Sequence, residues 1–325
     1  MRLLLILLGM WSIESIADEY IVAVRAHNGI QAAQEKWQAT IDHLNVSIPE
    51  QHFVLQPIVS LSKLSELAKK NAFHFVLTNP SSYIDIQHST GATALATLIN
   101  KRGNTAQNRF GSVIFTRADR DDIIALKDLK NKTLMVVSEI AFGGWQVAWH
   151  ELLKHDIDPF KDLNEVKFAN GLQYRVVEAV LNKQVDAGVV RTDQLEFLSK
   201  NRQVDLRYLR ILNSRTTEGF PFFHSTDLYP EWPFVALPSV PQHIQQRVQE
   251  TLLRIKHQST AAQRGGYISW QDALDYSSVK TILQILQQGP YTQTSSTYKI
   301  LLYILVLLVL MTGIGLYWYR KKSLR

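Results

Sequence analysis

Thr133-Leu-Met-Val-Val-Ser-Glu-Ile-Ala-Phe-Gly-Gly-Trp145 is a short apolar run that ends in a serine, turns on a glycine pair and continues as a helix-like pattern through Leu153. A strand that hands the chain to a helix through glycine is the repeating unit of an α/β fold. The same alternation extends outward on both sides. Tyr20–Arg25, His52–Val59, Ala72–Thr78, Arg109–Arg117, Asn164–Phe168, Ala187–Arg191 and Leu206–Leu212 read as strands. Residues 31–45, 61–70, 175–181, 244–257 and 279–287 read as helices, the first with Ala33, Trp37, Ile41 and Leu44 on one face. This order predicts one lobe built from residues 18–112 and 208–288, interrupted by a second lobe at 113–207. The Leu206–Leu212 strand is expected to return the chain to the first lobe. Ligands of open α/β sheets sit beyond the carboxyl ends of the strands, so two lobes joined by two crossings place a site in the cleft between them.

Several strand ends carry polar residues that would face such a cleft: His27-Asn28-Gly29, Thr78-Asn79-Pro80 with Tyr83, Thr116-Arg117, Ser138 and Arg191-Thr192-Asp193. Free N–H groups at the helix start after Ser138, together with its hydroxyl, would hold an anion. An ordinary turn that needs glycine for positive φ explains the same residues. Arg191 can make a bidentate contact with an oxyanion or carboxylate. Arg117 is equally suited to a salt bridge with Asp119 or Asp121, and strand-end polar residues are common turn formers.

Catalytic readings fit poorly. His150-Glu-Leu-Leu-Lys-His155 places its histidines five apart, roughly 140° around a helix, so they cannot share a metal as an i, i+4 pair does. There is no Gly-x-Ser-x-Gly elbow, P-loop or dinucleotide glycine fingerprint. Cysteine is absent, which excludes disulfides, thiolate metal sites, a Cys nucleophile and a lipid-modified Cys. No enzyme activity, metal or cofactor is expected.

Both ends of the chain are apolar. Ile300–Tyr319 is about 20 residues long, enough at about 1.5 Å rise to cover the ~30 Å of a bilayer core, and Arg320, Lys321, Lys322 and Arg325 follow it. With Tyr317, Trp318 and Tyr319 as an interfacial belt, residues 300–319 are expected to be a single transmembrane helix, with 289–299 as linker and 320–325 as a cytoplasmic tail. Arg2, the apolar run Leu3–Trp11 and Ser15-Ile16-Ala17 read as a signal peptide over residues 1–17. An uncleaved anchor is the alternative. Either way the body is exported, and a bacterial inner-membrane protein with a periplasmic ligand domain is expected. The net charge of +6 belongs largely to these ends: residues 18–298 carry 29 basic and 28 acidic side chains, which gives no reason to expect a nucleic acid partner.

A broader likeness rests on His27–Gly29 with Trp37, Phe75–Pro80 with Tyr83, Gly111–Arg120 and Asp128-Leu129. It also rests on Phe142-Gly-Gly-Trp145, Val185–Asp193, Ser225–Pro233 and Gly289-Pro-Tyr291. With these elements the body resembles the phosphonate-binding-like branch of the type II periplasmic binding proteins, and within it the sensor domain of tetrathionate-sensor histidine kinases. The resemblance implies a two-lobed clamshell that closes on a small anion. The strand ends and this likeness together give an expected ligand set of His27, Thr78, Asn79 and Tyr83 from the first lobe. From the second lobe the expected residues are Arg117, Ser138, Phe142, Gly143, Gly144, Trp145, Gln173 and Arg191. Gln173-Tyr174 stands where many relatives carry a His-Asp pair, which puts the ligand's identity in question. No phospho-acceptor helix or ATP-binding glycine box follows Arg320, so a sensor of this kind is expected to signal through a separately encoded or missing histidine kinase. The alternative is a substrate-binding component of a phosphonate or oxyanion ABC transporter.

Overall fold

The computed structural model describes residues 18–292, 304–309 and 311–312. The expected signal peptide lies outside them, as does the expected membrane span apart from the short helical pieces at 304–309 and 311–312. Among the described residues no helix is long and apolar enough to cross a membrane.

In chain order the first lobe begins with β1 (Asp18–Arg25), α1 (Ile30–Ser47), β2 (Gln51–Ile58), α2 (Leu61–Lys69), β3 (Phe75–Leu77), α3 (Pro80–Thr90), β4 (Thr93–Arg102) and β5 (Thr105–Gln107). After β6 (Arg109–Phe110) come β7 (Ser112–Arg117), β8 (Thr133–Val136), α4 (Val147–Lys154), β9 (Glu165–Phe168), α5 (Gln173–Leu181), β10 (Ala187–Arg191) and α6 (Gln194–Lys200). β11 (Leu209–Leu212), β12 (Arg215–Thr217) and β13 (Phe220–His224) complete the second lobe. The chain returns through β14 (Tyr229–Pro230) to β15 (Pro233–Ala236), α7 (Gln242–Leu253), α8 (Thr260–Gly265), β16 (Tyr267–Asp272) and α9 (Ser277–Ile285).

The first-lobe sheet runs β16-β4-β15-β3-β1-β2, with β5 on β4, and the second runs β11-β7-β10-β8-β9. β1, β2 and β3 are parallel, as are β8, β9 and β10. β15 lies antiparallel to β3, and β7 antiparallel to β10.

Period-2 alternation fills both faces of each sheet. Tyr20, Val22 and Val24 join Trp37, Phe53, Phe75 and Ile244 on the α1/α7 side, while Ala23 and Val76 join Leu64, Ile84 and Val279 under α2, α3 and α9. In the second lobe Leu134, Val136 and Val189 pack with Trp145 and Leu152 on one face. Val113, Phe115 and Val190 pack with Val176, Val180 and Leu195 on the other.

The lobes are joined by a ribbon in which Tyr229 pairs with Phe110 and Pro230 with Arg109. Beside it, Gly111 donates to Thr192 Oγ1 at 3.2 Å, and its carbonyl accepts from Thr192 N at 3.1 Å. A Cβ at Gly111 would lie 2.7 Å from Asp227 O, so glycine alone fits this crossing. The second crossing differs from the expected one at residue 208. β11 pairs antiparallel with β7, Leu209 against Arg117, and stays in the second sheet. The chain leaves that lobe only after Ser225, whose N–H donates to Ser112 O at 2.8 Å.

Candidate functional site

The parallel strands aim their carboxyl ends at one another across the cleft. β1 leads into His27 and β3 into Thr78; from the second lobe, β8 leads into Ser138 and β10 ends at Arg191. Because β15 is antiparallel to β3 and to β4, its leading residues Glu231 and Trp232 and the trailing residues Asn100 and Arg102 of β4 arrive at the same edge.

On the first-lobe wall, α3 starts with Asn79 as its cap: the Asn79 side-chain oxygen accepts from Ser82 N at 2.8 Å and Ser81 Oγ at 3.0 Å. That leaves Thr78 Oγ1 and Ser82 Oγ buried without a hydrogen-bond partner. Unmet buried hydroxyls at a helix N-terminus, where the N–H groups and the helix dipole favour negative charge, are an arrangement that can accept an anion.

At the same cleft edge lies a cluster of four charged groups. The Arg191 guanidinium lies 4.0 Å over the Phe110 ring and ion-pairs with Glu231 of the other lobe. Its Nε lies 3.6 Å from Asp193 Oδ1, a separation too long for a hydrogen bond, and both atoms are buried without a partner. Arg102 of the first lobe reaches Asp193 of the second at 3.3 Å and Glu231 at 3.9 Å. Asn100 Nδ2 donates to Glu231 Oε1 at 2.8 Å and Trp232 N to Oε2 at 3.1 Å. The lobes are therefore bridged by two crossed ion pairs.

The two pairs are unequal. Burial pushes the Glu231 carboxyl up, but Arg191 and Arg102 more than offset it and hold it below the usual range. Burial likewise opposes the Arg191 charge, yet Glu231 and Asp193 raise its pKa. For Asp193 burial wins over Arg102 and Arg191 and its pKa is raised. For Arg102, burial and then the Arg191 charge lower it. Arg191–Glu231 is a mutually satisfied pair, whereas Arg102 and Asp193 are left electrostatically short. Asp193 also holds a left-handed backbone at φ +73°, an uncommon conformation outside glycine.

His27 sits at the mouth, its ring 5.4 Å from Trp232. Although the residue keeps an exposed face, desolvation by the surrounding walls, followed by the charges of Lys36 and Arg25, lowers its pKa to about 4, so it is neutral at neutral pH.

Not every expected residue lies here. Arg117 is at the opposite end of β7, because that strand runs antiparallel to β10, with Arg191 opposite Ser112; it ion-pairs with Asp119 at 2.9 Å. The Tyr83 ring packs in the core against Tyr276, and its hydroxyl accepts from Gln87 at 2.7 Å, away from the cleft. Trp145 stacks on Trp149 in the second-lobe core, ring centroids 5.6 Å apart. Phe142 packs edge-on to Phe110 and Tyr229 of the connecting ribbon. Gln173 accepts the Arg191 N–H at 2.8 Å, a contact that holds the strand end.

Gly143 and Gly144 lie in a π-helical turn, Phe142–Gln146, without positive φ. Close packing requires them: a Cβ at Gly143 would meet Phe110 at 2.7 Å, and one at Gly144 would meet Val137 at 2.5 Å. The Gly143 carbonyl accepts from Ser112 Oγ at 2.7 Å. The Ser138 hydroxyl carries no hydrogen bond among the described residues and is half-buried beside this turn. Lys36, Asn100, Arg102 and Glu231 were not picked out as site residues from the sequence; Asp193 was read only as part of the Arg191 strand end.

Residues 23–277 match the family described as ABC transporter, phosphonate, periplasmic substrate-binding protein. The chain belongs to this family. It is 28% identical over 283 residues to the tetrathionate sensor histidine kinase TtrS of Salmonella typhimurium, a match covering 87% of this chain and 45% of that protein. It thus spans about half the length of that curated relative. Among solved structures, it is similar to PhnD1 from Prochlorococcus marinus in complex with methylphosphonate, with a TM-score of 0.64 and 14% identity, covering 83% of this chain and 98% of that one. It is also similar to XAC2383 from Xanthomonas citri bound to ATP, with a TM-score of 0.65 and 17% identity, covering 83% and 96%. The two-lobed α/β periplasmic-binding-protein fold is common to them.

Proposed function

We propose that this chain is a membrane-anchored periplasmic receptor that closes its two lobes on a small oxyanion, tetrathionate-like or phosphonate-like, and signals through a separately encoded histidine kinase. The observation that carries the reading is the pair of buried, unpartnered hydroxyls, Thr78 Oγ1 and Ser82 Oγ, at the start of α3 in the wall that meets the cation cluster of the cleft. The apolar span 300–319 with its basic flank supports the anchor, and the likeness to the sensor kinase supports the signalling role.

The test is thermal unfolding of the full chain against tetrathionate, thiosulfate, sulfate, phosphate and methylphosphonate. A ligand at about 100 times its dissociation constant adds about 2.7 kcal/mol of stability. Arg191→Ala should lower affinity for the stabilising anion at least about tenfold. A folded chain that no oxyanion stabilises would refute the reading.

Family membership itself favours a second reading, a substrate-binding component of an ABC transporter for phosphonates or related oxyanions. Loss of uptake on deletion, with no change in any kinase's output, would select it.

A further inference from the structure

The charges in the cleft do not cancel, and the residue left over is Lys36. Three cations, Lys36, Arg102 and Arg191, stand with two carboxylates, Glu231 and Asp193, while His27 is neutral; at the margins Arg25 beside His27 and Glu196 beside Asp193 add one charge of each sign and leave the excess unchanged. Glu231 is committed to Arg191, Asn100 and the Trp232 N–H, and Asp193 is approached by Arg102 at 3.3 Å. Lys36, on the second turn of α1, has no hydrogen bond or ion pair among the described residues; its ammonium lies 4.9 Å from the ring of its neighbour Trp37. Burial first, and then the nearby Arg102, lower its pKa to about 8, the behaviour of an ammonium short of negative partners.

Resting on the oxyanion reading above, we infer that Lys36 is the cation that receives the ligand's charge, and that the cleft selects singly charged oxyanions over doubly charged ones. One negative charge cancels the excess. A second would stand in a poorly solvated cleft beside Asp193, whose buried Oδ1 has no hydrogen bond and repels a fully ionised oxyanion. A hydroxyl on a half-protonated phosphonate would instead donate to that oxygen. The selected class is therefore the oxyacid monoanion, with sulfate and tetrathionate disfavoured.

The test is calorimetric titration of the full chain at pH 6 with methylphosphonate, methanesulfonate, sulfate and tetrathionate, on wild type, Lys36→Met and Lys36→Arg. Wild type should bind methylphosphonate at least about tenfold more tightly than either dianion. Lys36→Met should lose at least about tenfold for the monoanions, and Lys36→Arg should restore most of it. The unfolding temperature of Lys36→Met without ligand should equal or exceed wild type, because a crowded ammonium is removed, so lost binding cannot be read as lost folding. Dianions binding as well as or better than methylphosphonate would overturn the selectivity. Unchanged affinity in Lys36→Met would overturn the role of Lys36 while leaving the oxyanion reading intact. A wild type that binds none of the four, nor phosphate nor thiosulfate, would bring down both.

Discussion

Glu231→Gln should lower stability and raise anion affinity at the same time. Glu231 has no exposed surface and bridges the lobes through Arg191, with Asn100 at 2.8 Å, the Trp232 N–H at 3.1 Å and Arg102 at 3.9 Å. Glutamine keeps the volume and one acceptor oxygen but removes the charge. Taking one partner from a buried ion pair costs about 3–5 kcal/mol. Asp193 at 3.6 Å still offers Arg191 partial compensation, so the lower end, about 3 kcal/mol, is expected. At about 2–4 °C per kcal/mol for a body of this size, the unfolding temperature should fall by roughly 6–12 °C. Binding should move the other way, because the cleft gains one net positive charge. A unit charge about 6 Å away at an effective dielectric near 20 is worth about 3 kcal/mol, and halving that for rearrangement leaves roughly a tenfold gain. Thermal unfolding without ligand and calorimetric titration with the best-stabilising oxyanion read the two effects separately. An unfolding temperature within about 1 °C of wild type would show that the pair is not holding the lobes. A fall in affinity would show that Glu231 orients Arg191 for the ligand rather than competing with it.

Thr78→Val is nearly isosteric and removes a hydroxyl that has no partner, so it should leave the unfolding temperature unchanged or raised while weakening anion binding about tenfold in the same titration. Gly143→Ala would place a methyl 2.7 Å from Phe110 and 3.2 Å from Arg191 Cγ, costing about 1–3 kcal/mol in denaturant unfolding. Anion affinity should also depend on pH. The free-state Lys36 ammonium titrates near 8, and bound anion favours its charged form, so affinity should be level below that pH and fall as pH rises through it. Read with methanesulfonate, whose charge does not change over this range, that fall should vanish in Lys36→Met.

Strand ends were the most legible part of the candidate site. Thr78, Ser138 and Arg191 each close an apolar run, and a parallel strand delivers its last residue to the cleft edge whatever the helices do. Arg117 closes an equally clear run and lies at the far edge, because strand direction is set by the crossing ribbon rather than by the run itself. The same blindness placed Leu206–Leu212 in the wrong lobe: a strand pattern does not say which sheet it joins. Tyr83 and Trp145 belong to helical turns adjoining the cleft, but their rings point to the cores on the other side of those turns. Lys36 and Arg102 were missed for the opposite reason. One is a charged residue inside an amphipathic helix and the other ends a ten-residue strand, and only the antiparallel pairing of β4 with β15 brings Arg102 to Glu231.

A crystal structure of the chain grown with methylphosphonate would locate the ligand outright. The anion is expected between the lobes, about 3 Å from Thr78 Oγ1, Ser82 Oγ and a nitrogen of Lys36 or Arg191. An anion bound instead on the outer surface, such as in the hollow of about 380 Å³ lined by Leu126, His155 and Asn213, with the cleft residues arranged as they are here, would contradict a ligand site between the lobes.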